Sequence, residues 1–310
     1  MAEGITFAFD WEVSLMVWLQ QALGQTGAAI MSVITLFGEE MIMVAVLGYL
    51  YWCFDKEFGK FIGINLVTGL VLNPMLKNIA LRRRPYMDWP QIQCLKPVHA
   101  DADIMDIAAQ GYSFPSGHSM NAAIVYGSFP RYKKGVMWLR VIGIALPVLV
   151  GISRFCLGVH YPTDVLVGWA CGAVVVFLVP VLARKVKRGV LCTVIFVVSL
   201  AGIFYCRTSD YYTSLGIMAG FFLSLPFEER FVKFENTTVW WKVIARLVGG
   251  VAVYFGVNTL LKLPFSDAFL DSATMAAFLV RAVRYTVVTF AAIGVYPMVF
   301  RLIDGKAGKA

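Results

Sequence analysis

The sequence predicts an all-α, polytopic integral membrane protein: a helical bundle embedded in lipid with little soluble domain. Three observations carry that expectation. Hydrophobic residues make up 59% of the 310 residues and charged residues 15%, and the mean hydropathy is +0.72, a balance suited to a chain dissolved in lipid. Apolar runs recur along the whole length, and at about 20 residues per crossing the bilayer leaves room for roughly eight or nine helices. The net charge of +8 comes from Lys and Arg in short clusters between apolar runs, which fits membrane orientation and argues against nucleic acid as a partner.

The elements follow in order. From Trp11 to Leu23 apolar residues are interleaved with Glu12, Gln20 and Gln21, and the aromatic-rich face suits a helix lying in the membrane interface. Residues 27–37 are apolar but short. Gly38-Glu39-Glu40 interrupts them, as an interfacial turn or with one carboxylate facing a polar cavity. Residues 1–40 are therefore read as an interfacial and membrane-dipping segment, with no basic region to suggest a cleavable signal peptide. Spans are expected over 41–54 and 61–79, joined by a charged turn around Asp55, Lys56, Glu57 and Lys60. The second delivers Lys77 and Arg82-Arg83-Arg84 to its far end. Residues 86–112 turn polar and form a long loop able to roof a site, with a helical turn near 105–109.

Further spans are expected over 118–132, 136–153 and 161–183, ending at Lys133-Lys134 and at the basic run 184–188. Residues 41–188 thus read as the core. Additional C-terminal spans fill 189–303, near 190–206, 212–225, 241–261 and 268–300, the last long enough to tilt or break. A Gly/Lys tail, 304–310, is expected to be disordered. The six cysteines lie in or beside apolar runs without metal-ligand spacing, and read as small hydrophobic residues rather than a disulfide framework.

Three polar clusters are laced through the core. The first runs from Lys77 to Arg82-Arg83-Arg84-Pro85. The second is Phe114-Pro115-Ser116-Gly117-His118-Ser119. The third is Ser153-Arg154, then His160, then Asp164. Ser116, Gly117 and His118 fall at the start of a helix, where free backbone N–H groups and the helix dipole favour an anion. Counting crossings brings all three clusters to one face of the membrane, and the Lys/Arg excess on the other face places them outside the cytoplasm.

Such residues suit phosphate-ester cleavage, where catalysis is mostly positioning and neutralising the charge of a phosphoryl group. Lys77 offers a point charge, and Arg84 and Arg154 offer planar forks. Ser116 and Gly117 offer a hydroxyl and backbone N–H groups. Neutral imidazole is a nucleophile and imidazolium an acid. The four-residue step from His160 to Asp164 lets the carboxylate hold one ring nitrogen and free the other.

In order and spacing, Lys-(six residues)-Arg-Pro, Pro-Ser-Gly-His and Ser-Arg-(five)-His-(three)-Asp, the clusters resemble the signature of the type 2 phosphatidic acid phosphatase superfamily, which includes glucose-6-phosphatase and vanadium haloperoxidases. The resemblance runs from Lys77 to Asp164. It implies that His160 is the nucleophile, forming a phosphohistidine and oriented by Asp164. It implies that His118 protonates the leaving oxygen and then activates water. Lys77, Arg84, Ser116, Gly117 and Arg154 would hold the phosphate, with no metal and no cofactor. The membrane setting favours a lipid phosphate or lipid diphosphate as substrate, drawn from the bilayer itself: undecaprenyl diphosphate, phosphatidylglycerol phosphate, phosphatidic acid and sphingosine-type phosphates are all within the resemblance.

Two alternatives stand beside that reading. A soluble phosphate ester is one, because the span count and the C-terminal helices are similar to glucose-6-phosphatase. A phospholipid-binding or transport protein that captures its ligand without hydrolysis is the other, although the intact His118, His160 and Asp164 argue against it, since capture needs only the cations. Outside the motifs, Arg82 and Arg83 are expected to be snorkelling membrane anchors, and His99 a solvated loop residue. Asp101, Asp103 and Asp106 lack the glycine and glutamate of a calcium loop, and are expected to be a solvated face.

Overall fold

The computed structural model describes residues 4–132 and 135–303; Lys133, Lys134 and the 304–310 tail lie outside the described residues. All regular elements among the described residues are helical, and the one extended pairing is a parallel bridge between Ile5 and Arg82. Among the described residues five helices are long and apolar enough to cross a membrane: Lys56–Ala80, Met137–Cys156, Pro162–Ala183, Trp240–Leu260 and Met275–Leu302. The pair Asp10–Gly38 and Glu40–Phe54, bent by 46°, makes a sixth if it is one broken span.

That is fewer than the eight or nine spans expected, for local reasons. Helix Gly117–Val125 continues through a tight turn into Phe129–Tyr132, and at 1.5 Å per residue residues 117–132 rise only about 24 Å. Helix Arg188–Ser199 with its 3₁₀ continuation to Phe204 is apolar but short. Helix Ser209–Phe227 has the length, yet it opens with Ser209, Asp210, Tyr211 and Tyr212. The run expected over 268–300 stays one span, Met275–Leu302, with a short helix Asp267–Leu270 ahead of it.

The chain forms two compact units, residues 1–43 with 72–181 and residues 44–71 with 182–310. In the first, helix Asp10–Ile34 is a single element bent at Gly24, whose φ of 56° only glycine adopts without cost. Its outward face carries exposed Trp11 and Trp18, while Val13 and Met16 pack with Ile92 and Tyr161. Gln20 ties it down further along, donating from Nε2 to the Gln93 and Cys156 carbonyls at 2.9 and 3.2 Å. The polar loop contains the expected turn as helix Ile107–Gln110, capped by Asp106, which accepts from the Ala108 N–H at 2.8 Å. Asp103 accepts from the Met105 N–H in the same way.

In the second unit, helices Ser209–Phe227 and Met275–Thr289 approach closely along Gly216 and Gly220. A Cβ on Gly216 would lie 2.3 Å from the Ala282 carbonyl, and one on Gly220 2.5 Å from that of Thr286, the small-residue contact that lets membrane helices pack. The start of helix Lys56–Ala80 joins an ion cluster. Lys60 meets Glu57 and Glu229 at 2.9 Å and Glu228 at 3.3 Å, Lys56 meets Glu228 at 2.6 Å, and Arg188 meets Glu57 and Glu229.

Candidate active site

The first unit gathers the residues of all three sequence clusters. Ser116 caps helix Gly117–Val125: its Oγ accepts from the Ser119 N–H and hydroxyl at 3.4 and 2.9 Å. The turn before it is pinned from two sides. Asn73 Nδ2 donates to the Pro115 carbonyl at 3.1 Å, and the Ser116 N–H donates to the Asp164 carbonyl at 3.0 Å. Helix Pro162–Ala183 backs the same turn through Gly168, where a Cβ would stand 2.7 Å from the Ser116 carbonyl. His118 therefore sits in a fixed first helical turn, partly exposed.

His160 lies in the short link between helices Met137–Cys156 and Pro162–Ala183, and is 2% exposed. Gly158 makes that link possible, with φ at +78° and the Gln93 carbonyl 2.1 Å from where a Cβ would be. His160 Nδ1 faces Asp164 Oδ2 and Ser113 Oγ, each at 3.4 Å. Asp164 Oδ2 also accepts from the Tyr161 N–H at 2.8 Å and from the Ser113 hydroxyl. The ring's other nitrogen, Nε2, is thereby left for chemistry.

The expected cations converge here. Arg84 is held by the Gln110 and Gly111 carbonyls, each 3.0 Å from Nε, and by the Val159 carbonyl, 2.9 Å from Nη1. Arg154 Nη1 donates to Thr35 Oγ1 at 2.7 Å, and its buried Nε has no partner among the described residues. The charges of Lys77, Arg84 and Arg154 reach both imidazoles. Burial first, and then Arg84, Arg154 and Lys77, hold the His160 imidazole well below the usual histidine range, so the ring is neutral at physiological pH. Among the described residues no group of three His, Cys, Asp or Glu side chains is arranged for a metal ion.

The arginine triplet departs from its sequence reading. Arg82 is no anchor: it is fully buried and donates from Nη1 to Asp164 Oδ1 at 2.7 Å. After Leu81, whose φ is 51°, the chain bridges to Ile5 at Arg82 and is extended at Arg84, so successive side chains of 82–84 point to opposite sides. Arg82 and Arg84 turn inward together, and Arg83 turns away to meet Asp88 at 3.1 Å, 31% exposed. Ser113, Thr35 and Glu12 also escaped the sequence reading. The one available signal was a carboxylate beside Trp11 and Val13 on an apolar helix. Glu39, for which two roles were open, pairs with Lys96 at 2.8 Å.

The sequence profile of the PAP2 superfamily matches residues 58–188, and that of the PAP2 superfamily phosphatase transmembrane extension matches residues 212–308. The chain is 31% identical over 176 residues to decaprenylphosphoryl-5-phosphoribose phosphatase of Mycobacterium tuberculosis, covering 53% of this chain and 86% of that one. It belongs to the PAP2 superfamily. Two more PAP2-like relatives are phosphatidylglycerophosphatase B of Bacillus subtilis, 46% identical over 129 residues and 39% of this chain, and undecaprenyl-diphosphatase of Sulfolobus acidocaldarius, 29% identical over 143 residues and 46% of this chain. The matches span 56% and 64% of the lengths of those two relatives. The extension profile falls on the additional C-terminal helices, and the chain is an integral, multi-pass membrane protein of this superfamily.

Proposed function

We propose that this protein is a phosphatase that hydrolyses a lipid phosphate or lipid diphosphate at the extracytoplasmic face of its membrane, through a phosphohistidine and without a metal or other cofactor. The observation that carries the reading is the buried, neutral His160, turned by Asp164 and Ser113 and surrounded by the charges of Arg84, Arg154 and Lys77.

In the first half-reaction the lone pair of His160 Nε2 attacks phosphorus and the bond from phosphorus to the lipid oxygen breaks. His118, which takes up a proton once the anionic phosphate lies beside it, gives that proton to the leaving oxygen. Asp164 steadies the positive charge that grows on the His160 ring, as the carboxylate of a hydrolase triad does. In the second half His118 takes a proton from water, the water oxygen attacks phosphorus, and the P–N bond breaks to return neutral His160 with inorganic phosphate. Lys77, Arg84, Arg154, Ser116 and the Gly117 N–H hold the non-bridging oxygens throughout. In this reading residues 41–188 carry the chemistry, 189–303 are the transmembrane extension and 1–40 lie at the interface.

The relatives' names support a lipid substrate, since each acts on a lipid-borne phosphate or diphosphate. The placement of the Lys/Arg clusters supports the extracytoplasmic side. The test is phosphate release by the detergent-purified protein in EDTA, against lipid phosphates, lipid diphosphates and glucose 6-phosphate, beside His160→Ala. Release from a lipid substrate should fall at least about 10³-fold in the variant, with acid-labile phosphate trapped only on the parent protein. Undiminished turnover by His160→Ala overturns the mechanism. Preference for glucose 6-phosphate replaces the lipid with a soluble ester.

A further inference from the structure

Asp164 is gripped on the side away from His160 by a buried chain of charges that begins on the N-terminal helix. Glu12 and Arg82 are both fully buried. Arg82 Nη2 donates to Glu12 Oε2 at 2.9 Å, while Nη1 donates to Asp164 Oδ1 and to Thr163 Oγ1, each at 2.7 Å. Glu12 Oε1 accepts from the Thr163 N–H at 3.0 Å and from its hydroxyl at 2.6 Å, and Oε2 accepts from the Phe9 N–H at 3.0 Å. Arg82 Nε donates to the Phe7 carbonyl at 2.8 Å, and the Tyr161 and Phe7 rings stand 3.8 and 4.4 Å from its Cζ. Every group in the chain is thus pinned by at least two others.

We propose that Glu12 and Arg82 are positioning residues for the phosphatase reaction: they fix the rotation of the Asp164 carboxylate, and through it the ring orientation and tautomer of His160. The inference rests on His160 being the nucleophile. It extends the active site to the helix Asp10–Ile34, which lies ahead of the residues matched by the PAP2 profile.

The geometry explains why this arginine cannot be a lysine. One guanidinium must reach two carboxylates at once, and only a planar fork with separated nitrogens does so. With Oδ1 committed to Arg82, Oδ2 is the oxygen left for His160. As Nε2 bonds to phosphorus, the Nδ1–H bond to Oδ2 must strengthen, and a carboxylate free to rotate would lose that alignment. Glu12 holds Arg82 back from collapsing onto Asp164. None of these atoms belongs to the proposed phosphate seat, so their loss should slow chemistry more than binding.

The experiment compares Glu12→Gln, Arg82→Lys and Thr163→Val with the parent protein and with His160→Ala, using a lipid phosphate substrate and inorganic phosphate as competitive inhibitor. Turnover per folded molecule and the quench-flow rate of phosphoenzyme formation should fall roughly 10–100-fold in Glu12→Gln and Arg82→Lys, and less in Thr163→Val. KM and the phosphate inhibition constant should stay within about twofold, a split that a merely structural role would not produce. Thr163→Val removes one hydroxyl from the centre of the chain and keeps the test open if the charge variants fail to fold. An inactive His160→Ala beside Thr163→Val and folded charge variants with parental turnover would overturn the positioning role alone. An active His160→Ala would overturn the phosphohistidine reading beneath it.

Discussion

The two compact units both bury ionised side chains in an apolar chain, and they balance them in opposite ways. In residues 44–71 with 182–310, Lys56, Lys60 and Arg188 face Glu57, Glu228 and Glu229, three charges of each sign in one cluster. In residues 1–43 with 72–181, the carboxylate beside His160 is already shared with Arg82, while three cations reach the neutral ring. A cluster that cancels itself joins helices and asks for nothing more. One whose positive field falls on a neutral nucleophile is ready for an anionic substrate. Charge balance separates the two clusters, and burial goes with it, since Glu57, Glu229 and Arg188 of the balanced one are exposed.

The contrast can be broken by substitution. Short of removing the nucleophile, the largest effect is expected from Arg154→Ala, which removes a fork whose Nε has no protein partner among the described residues: kcat/KM for a lipid phosphate should fall about 10²–10³-fold, the cost of losing one preorganised donor to a phosphoryl oxygen. Glu228→Gln, in the balanced cluster, should lower apparent stability by roughly 1–3 kcal/mol, read as a lower thermal midpoint in detergent, because buried Lys60 keeps only Glu57 and Glu229. Its kcat should be unchanged.

Acidification sharpens the comparison in the first unit. The folded protein resists protonating His160, whereas the unfolded chain accepts that proton near pH 6.5. The stability this imidazole contributes is therefore present above about pH 6.5 and lost as pH falls below it. His160→Ala should flatten the acid side of a plot of thermal midpoint against pH. In the free parent enzyme the acid limb of kcat/KM arising from this ring should lie below the usual histidine range. The smallest effect is expected from Arg188→Gln: its pairs are partly exposed, and the midpoint should reflect about 1 kcal/mol or less.

The motifs were legible because they require particular residue types at fixed spacing. Lys77, Arg84, Ser116, Gly117, His118, Arg154, His160 and Asp164 all lie in one unit, with the turn at 114–118 and the link at 157–161 holding the two imidazoles. The helical, membrane-embedded character followed from composition. Arg82 was illegible because three adjacent arginines look alike until the backbone is known to be extended there; only then does alternation send the middle one outward. Glu12 was hidden by distance, lying 70 residues from Arg82 in the chain, with no local pattern linking them. The span count ran high because an apolar run is not always a long helix: residues 117–132 are divided among short elements, and Arg188–Phe204 is apolar but short.

The contact from Thr163 to Glu12 joins residues 151 apart, and this sets an order of events during synthesis. At roughly 5–20 residues per second, helix Asp10–Ile34 leaves the ribosome about 8–30 s before the segment it must grip. Arg82, 70 residues on, follows after about 4–14 s and Thr163 only at the end, so until then the carboxylate lacks its full set of partners and the helix must wait where water still reaches Glu12. Its exposed tryptophans, at home among lipid headgroups, give it somewhere to wait. Under the proposed mechanism, the nascent chain becomes competent only when helix Asp10–Ile34 sinks onto Thr163, one of the last pieces of its unit to be made.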